Sequence, residues 1–375
     1  MLASAQARGA APMRIGIDAT LVRPDRLTGI ERYALSLTGE LARLSPGEIV
    51  LFTRPDAPEA LRGLAVEQHA SPFRSRVPSD QAWLPLAAAR ARIDLLHMLA
   101  FPTPPLWRGP AILTVHDATP WLHRDTTSAG MRYYYRPLYR QALRRAAAIL
   151  TVSHAARADL VAALALDPAR VHVTHNGVDQ AFFEAAPPTG PRAPYLLAVG
   201  TLEPRKNLPV LLEAFRLLRA EGRDLQLILV GRQGWTDALP LGDLAAHVRL
   251  TGTVPDASLP ELYAGAACFV LPSLYEGFGL SLLEAMAAGV PAVASDIPAL
   301  REVGGGAVRY APPTSAAAFA AAIRTALADD GAARAMAGRA RERARRFSWE
   351  ACAAETLGVY RLVTGAPRPG AAAKP

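Results

Sequence analysis

The feature that most constrains this chain is a rhythm: a short apolar run, a longer helical pattern, another apolar run, repeated from residue 14 to residue 311. The first set of runs is 14-RIGIDA, 48-EIVLFT, 94-DLLHML, 111-AILTVHD, 148-AILTVS and 171-VHVTHNG. The second is 195-YLLAVG, 225-LQLILVG, 248-VRLTGT, 268-CFVLPS, 291-PAVASD and 307-AVRYA. Most are continuously apolar rather than alternating, the mark of strands covered on both faces, as in a parallel sheet. Helical patterns fall between them. One spans 209–221, with Val210, Ala214, Leu217 and Leu218 assigned to its inner face and Gly222 as its stop. Such alternation predicts an α/β protein of doubly wound parallel sheets.

A chain of 375 residues exceeds one ordinary core, which predicts two domains. The two sets of runs are separated by 180-QAFFEAAPPTGPRAP, whose prolines and small residues suit a linker. We therefore expect two Rossmann-like domains, 13–187 and 188–347, facing a central cleft. The stretch 348-SWEACAAETLGVYRLV has no strand after it, so residues 348–365 are expected to form a helix packing back toward the first domain. Residues 1–12 and 366–375, rich in Ala, Gly and Pro, read as disordered, and Met13 offers an alternative start. The N-terminus lacks the apolar centre of a secretory signal. No run reaches about 18 uncharged apolar residues, so no membrane-spanning helix is expected.

The formal net charge of +8 invites a nucleic-acid or membrane reading. The only lysines are Lys206 and Lys374, every other basic residue being arginine, and Ala, Gly and Pro abound. That pattern fits a GC-rich coding bias, which removes part of the excess charge from functional consideration. The arginines are scattered and no nucleic-acid motif is present, against a nucleic-acid binder. No G-x-G-x-x-G follows any apolar run, and 303-VGGGAV does not fit that pattern, against a dinucleotide oxidoreductase. Cys268 and Cys352 lie far apart without CxxC spacing, which argues against a disulfide framework or metal site and suits a reducing cytoplasm.

Ligands of doubly wound sheets bind beyond the carboxyl ends of the strands. That rule selects the loops 18-DATLVRPDRLTG, 116-HDATPW, 153-SHA, 175-HNGVD, 200-GTLEPRKN, 231-GRQGW and 274-LYEGFG. In the last, backbone amides of Gly279, Leu280 and Ser281 open a helix running to about Ala288, with Gly289 as its stop. A helix N-terminus preceded by glycines is an anion site. Glu276 beside it would repel phosphate, which points instead to hydroxyl groups, and Glu284 one turn into the helix could accept two hydroxyls of a ribose. A plain helix-dipole role for Glu284 and a solvated loop position for Glu276 stay open on spacing alone. In 200-GTLEPRKN, Arg205 and Lys206 suit a diphosphate clamp; the alternative is a solvated basic turn in which Asn207 merely caps the next helix.

The pattern G-x-L-E-P-R-K-N followed by P-S-x-x-E-G-F-G-L-x-x-L-E-A-M-A-x-G-x-P resembles retaining glycosyltransferase family 4, of GT-B fold. The resemblance runs from Arg14 to about Val363. The wording of 15–41 and 114–125 is similar to the mannosyltransferase-like branch that builds bacterial O-antigens and exopolysaccharides. It implies a nucleotide-sugar donor, with GDP-mannose as the branch expectation. Glu284 is implied at the donor ribose, and Glu276 with the backbone of Gly277, Phe278 and Gly279 at the sugar hydroxyls. Arg205 and Lys206 are implied at the diphosphate, Gly29 near phosphate and acceptor, and His116 with Asp117 in the sugar pocket. Many relatives carry two adjacent glycines where this chain has Thr28–Gly29. His154 and His175 read as structural or cleft-lining.

Retaining glycosidases use two nearby carboxylates. The resemblance removes Glu284 from that role by placing it at the ribose, and implies front-face substitution in which the leaving diphosphate takes the acceptor proton. No metal is expected, because side chains and helix amides neutralise the diphosphate and neither a DxD pair nor a ligand cluster stands out. The expected acceptor is a saccharide or lipid-linked saccharide. The basic, aromatic segment 131-MRYYYRPLYRQALRRAA suits an anionic membrane surface, giving a cytoplasmic protein peripheral to the inner face; the alternative is a solvated helix whose tyrosines pack inward. A UDP-glucose enzyme and a non-catalytic relative are the competing readings within the fold.

Overall fold

The computed structural model describes residues 13–24, 28–123, 135–187, 193–234, 239–328 and 331–365. The expectations for 1–12 and 366–375, and residues 131–134 of the basic segment, lie outside them.

The first half contains β1 (Ile15–Asp18), β2 (Ile49–Thr53), β3 (Glu67–Ala70), β4 (Leu95–Met98), β5 (Ala111–Thr114), β6 (Ala148–Thr151) and β7 (Val171–Val173). They form a sheet in the order β3-β2-β1-β4-β5-β6-β7, with every pairing parallel. The second half contains β8 (Tyr195–Val199), β9 (Gln226–Val230), β10 (Val248–Gly252), β11 (Cys268–Leu271), β12 (Ala292–Ser295) and β13 (Arg309–Ala311). Their order is β10-β9-β8-β11-β12-β13, again wholly parallel. Each order reverses once, between β1 and β4 and between β8 and β11, and the crevice for a ligand opens at such a reversal.

All the expected strands form. β3 was not anticipated: its sequence, Glu-Gln-His-Ala, is polar because it is a partly exposed edge strand. The helix Leu208–Ala220 also differs from expectation in its inner face. Leu208, Leu211, Leu212, Ala214, Phe215 and Leu218 are buried, whereas Leu217 is exposed. The buried stripe follows the i, i+3, i+4 rule more closely than the face first assigned. Within 180-QAFFEAAPPTGPRAP, residues Gln180–Glu184 are helical and bury Phe182 and Phe183, so these five belong to the packed structure and not to a linker.

Apolar clusters cover the outer face of each sheet, and a third runs continuously between the halves. The final helix, Trp349–Thr364, leaves the second half and packs on the first helix, Gly29–Leu44. Trp349 Nε1 donates to Asp179 at 2.8 Å, Arg43 pairs with Glu350 at 3.0 Å, and the Tyr360 hydroxyl meets His97 Nδ1 at 2.6 Å. Burial, with a smaller effect of His116, pushes His97 down to about 3, so its ring is neutral and bonds Tyr360 and Thr114 as an uncharged bridge.

Candidate functional site

Between the carboxyl edges of the sheets lies a cleft of about 720 Å³. Gly29, His116, Asp117, Arg205, Lys206, Glu276, Gly277, Phe278, Gly279, Leu280, Ser281 and Glu284 all line it. The sheet order explains part of this. β8 and β11 are neighbours, so the loop with Arg205 and Lys206 lies against the loop with Glu276 although they are distant in sequence.

These side chains form a compact ionic network. The Arg205 guanidinium donates to Glu203 Oε1 through Nε and Nη2 at 3.0 and 2.6 Å. Its Nη1 donates to the Tyr275 carbonyl at 2.7 Å and to Glu276 Oε2 at 2.9 Å. Lys206 Nζ donates to Glu276 Oε1 at 2.6 Å, and Ser273 Oγ donates to the same oxygen at 2.7 Å. Burial alone would raise the Glu276 pKa, but Lys206 and Arg205 outweigh it and hold the carboxyl at about 2. Burial likewise opposes the Arg205 charge, and Glu276, Asp117 and Glu203 reverse that to raise its pKa. Two cations are thus hydrogen-bonded to two carboxylates, with Asp117 a third acidic group nearby. Asn207 stands at the N-cap position of the helix Leu208–Ala220, but its side chain makes no cap hydrogen bond. Its backbone is left-handed and its amide donates to the carbonyls of Pro272 and Pro313, which fixes the Arg205–Lys206 turn against neighbouring loops.

Two helix N-termini meet at the cleft. One belongs to Leu280–Ala287, introduced by Gly279 at φ 103°. The other belongs to Gly29–Leu44, where Glu31 accepts the Thr28 amide at 2.8 Å. A Cβ on Gly29 would lie 3.4 Å from Leu280 Cδ1, so the two ends are adjacent. Gly277 is closer still to the opposite half: a Cβ there would lie 2.2 Å from the His116 carbonyl oxygen. Ser153 Oγ donates to the Gly277 carbonyl at 2.5 Å, and the Tyr275 hydroxyl accepts the Ala118 amide at 3.1 Å. The loop bearing Glu276 is therefore seated directly on the first half.

His116 Nε2 donates to the Leu99 carbonyl at 2.9 Å, and its ring stands edge-on to Tyr33 at 4.6 Å. Burial lowers its pKa despite the Leu99 carbonyl and Asp117, which leaves a neutral ring with Nδ1 as an acceptor. Asp117 Oδ1 accepts the Thr119 amide at 2.8 Å, a local turn that holds the loop after β5.

Glu284 is buried, with Oε2 accepting from the Tyr263 hydroxyl at 2.7 Å and Oε1 3.5 Å from Arg32 Nε. Burial raises its pKa against the opposing influence of Arg32 and Tyr263. Arg32 was missed by sequence reasoning. It rises from the first helix and also reaches Asp179 at 3.1 Å and Asp256 at 2.7 Å, so it ties the first half to Glu284 and Asp256 in the second. Nothing in a single arginine of an amphipathic helix distinguishes it from a solvated one. Arg232, in the expected loop 231-GRQGW, also lines the cleft and has a buried Nε without a protein partner among the described residues.

Away from the cleft, His154, His175 and Glu302 cluster. The sequence showed no such ligand group, because these residues come from three separate connections. In the helix Arg136–Arg145, Tyr139 is buried and donates to the Ala100 carbonyl, as the inward-packing alternative requires, while Arg140 and Arg144 are exposed. Arg145 donates to the carbonyls of Pro105 and Trp107 at 3.2 and 2.5 Å. Among the described residues no helix is long and apolar enough to cross a membrane.

Comparison with known proteins adds to this geometry. Residues 27–182 match the family described as Glycosyltransferase Family 4, and residues 179–343 match Glycosyl transferases group 1. The chain is 35% identical to the O-antigen chain mannosyltransferase B of Escherichia coli, over 68% of this chain and 70% of that one. It is 31% identical to the phosphatidyl-myo-inositol mannosyltransferase of Mycobacterium tuberculosis, over 90% of this chain and 94% of that one. In fold it is similar to a sucrose-phosphate synthase from Thermosynechococcus elongatus, with a TM-score of 0.73 at 21% identity over 95% of this chain and 100% of that one. Two parallel Rossmann-like sheets around one cleft, with relatives that align across both halves, identify the chain as a hexosyl-transferring enzyme of glycosyltransferase family 4, with the GT-B fold and mannosyltransferase kin.

Proposed function

We propose that the cleft transfers mannose from GDP-mannose to a saccharide or lipid-linked saccharide with retention of configuration. The observation that carries the reading is that Arg205, Lys206 and two adjacent helix N-termini line one cleft, in a chain whose relatives are named mannosyltransferases. The diphosphate lies against the amides of Leu280 and Ser281 and the loop of Gly29, and shares Arg205 and Lys206 with Glu276. Glu276, kept ionised because Arg205 and Lys206 stay shared between it and the diphosphate, also accepts sugar hydroxyls beside the backbone of Gly277, Phe278 and Gly279. Arg232 adds a donor for phosphate or base. Glu284 accepts ribose hydroxyls, exchanging the longer Arg32 contact for them.

In this mechanism the glycosidic bond breaks as charge grows on the leaving diphosphate, which Arg205, Lys206 and the helix amides stabilise. The same diphosphate takes the acceptor proton on the face it leaves. Neutral His116 accepts a sugar hydroxyl at Nδ1, and Asp117 fixes the adjoining turn. Because cationic side chains and amides supply the neutralisation, no metal takes part in the transfer. Domain limits at 187/188 and 347/348 and a cytoplasmic position at an anionic membrane, through Arg140 and Arg144, complete the proposal.

A thermal-shift panel of GDP, UDP, ADP and their sugar conjugates, on wild type and Glu284→Ala, tests it. A ligand that binds only the native state raises Tm. The expected result is a rise with GDP and GDP-mannose that shrinks in the variant. A rise with UDP species alone would overturn the donor, and no rise with any nucleotide would overturn the catalytic reading.

A further inference from the structure

We propose that His154, His175 and Glu302 form a binding site for a divalent transition cation of the zinc class, one that clasps the two halves of the molecule at their seam. A ring nitrogen of each histidine and a carboxylate oxygen of Glu302 all lie within 4.8 Å of one another. His154 opens the helix His154–Leu164 after β6, and His175 follows β7, both in the first half. Glu302 stands on the helix Pro298–Gly304 after β12, in the second. None of the three lines the cleft, so an ion here is separate from the chemistry proposed for the diphosphate.

The donor set selects the ion. Two imidazoles and one carboxylate suit Zn²⁺, Co²⁺ or Ni²⁺, whereas Mg²⁺ and Ca²⁺ prefer oxygen alone. Three protein ligands leave one position for water, as in an open tetrahedral site. The geometry is partly assembled. His175 Nε2 is 2.8 Å from Glu302 Oε1, and the two histidine rings stand 5.5 Å apart at 61°. Metal bonds of about 2.0–2.2 Å place ligand atoms roughly 3.3–3.6 Å apart. The imidazole and carboxylate must therefore separate slightly to admit an ion, and the exposed His154 must swing inward.

The carboxylate is held in place for this role. Glu302 Oε1 and Oε2 accept the backbone amides of His154 and Ala155 at 2.8 and 3.0 Å. Such outer partners orient metal-binding carboxylates. Lone pairs remain, since an ionised carboxylate offers about four acceptor sites. The site also touches the donor loop indirectly. The His175 ring lies 6.2 Å from Phe278 and 5.8 Å from Phe347, which pack on each other. A bound ion would fix the seam beside Gly277 and Phe278.

The test uses the untagged full chain, stripped with chelator and titrated with Co²⁺, then with Zn²⁺. One Co²⁺ per chain is expected, with the visible bands of a four- or five-coordinate ion, displaced by Zn²⁺. His154→Gln and His175→Gln should each weaken Co²⁺ binding by at least about tenfold. Zn²⁺ should raise the Tm of wild type and leave that of either variant unchanged. His154 is exposed, so His154→Gln keeps the fold and decides the matter even where His175→Gln loosens the seam. Absence of the bands, or bands and affinity unaltered by His154→Gln, would overturn the proposal.

Discussion

Replacing Gly277 by alanine tests how closely the donor loop is seated on the first half. The added Cβ would lie 2.2 Å from the His116 carbonyl oxygen and 2.9 Å from Asp117 Cβ. A carbon–oxygen contact needs about 3.3 Å, so the loop and the strand end opposite must separate by roughly 1 Å. Both sides are backbone, and Ser153 and Tyr275 bond across the same seam, so no flexible side chain absorbs the shift. Gly277 is not among the positive-φ glycines, which makes the cost steric rather than conformational. Overpacking of this kind costs about 1–3 kcal/mol of stability. A displacement of about 1 Å at reacting groups costs on the order of 10²-fold in rate. We expect kcat for nucleoside-diphosphate release to fall by about that factor while the fold survives. Gly39→Ala is the control: nothing lies within 4 Å of a Cβ there, and in mid-helix the change stabilises slightly. Turnover within two- to threefold of wild type, at unchanged Tm, would refute the reasoning.

Arg32→Ala should release Glu284 and Asp256 from their cross-half partner and leave Asp179 with Trp349; Tm should fall by a few degrees and donor KM should change more than kcat, read from steady-state kinetics. Glu276 gives a pH signature. Its folded pKa of about 2 lies below the ordinary 4.5, so its stabilising effect is complete above about 4.5 and is lost as pH falls toward 2. The stability gap between wild type and Glu276→Gln, measured by denaturant titration, should therefore narrow over that window and be constant above it. Arg140→Ala with Arg144→Ala should weaken binding to anionic vesicles in flotation assays, about 1 kcal/mol per arginine at low salt, and leave turnover on a soluble acceptor unchanged.

Much of this was legible because buried parallel strands must be apolar along their length. The loops after β8 and β11 could be named as ligand loops from the same rule, and their residues do meet. β3 escaped because an edge strand keeps its polar residues. Leu217 was misassigned because several leucines of one helix satisfy a loose apolar pattern, and only packing selects among them. Arg32 escaped because its partners Asp179, Asp256 and Glu284 are joined to it by tertiary structure alone. The same holds for His154, His175 and Glu302. Asn207 looked like a cap by type, yet its side chain is taken by two distant carbonyls.

The central claim is that Arg205 and Lys206 neutralise a departing diphosphate, and the most direct measurement is the turnover of Lys206→Ala with GDP-mannose and acceptor. Among the described residues the Lys206 ammonium bonds only Glu276, which Arg205 and Ser273 also hold, so the variant should fold with a lowered Tm. The account predicts a loss in kcat of on the order of 10²–10³-fold, the scale for removing one preorganised donor from developing charge. A variant that turns over at the wild-type rate would contradict it.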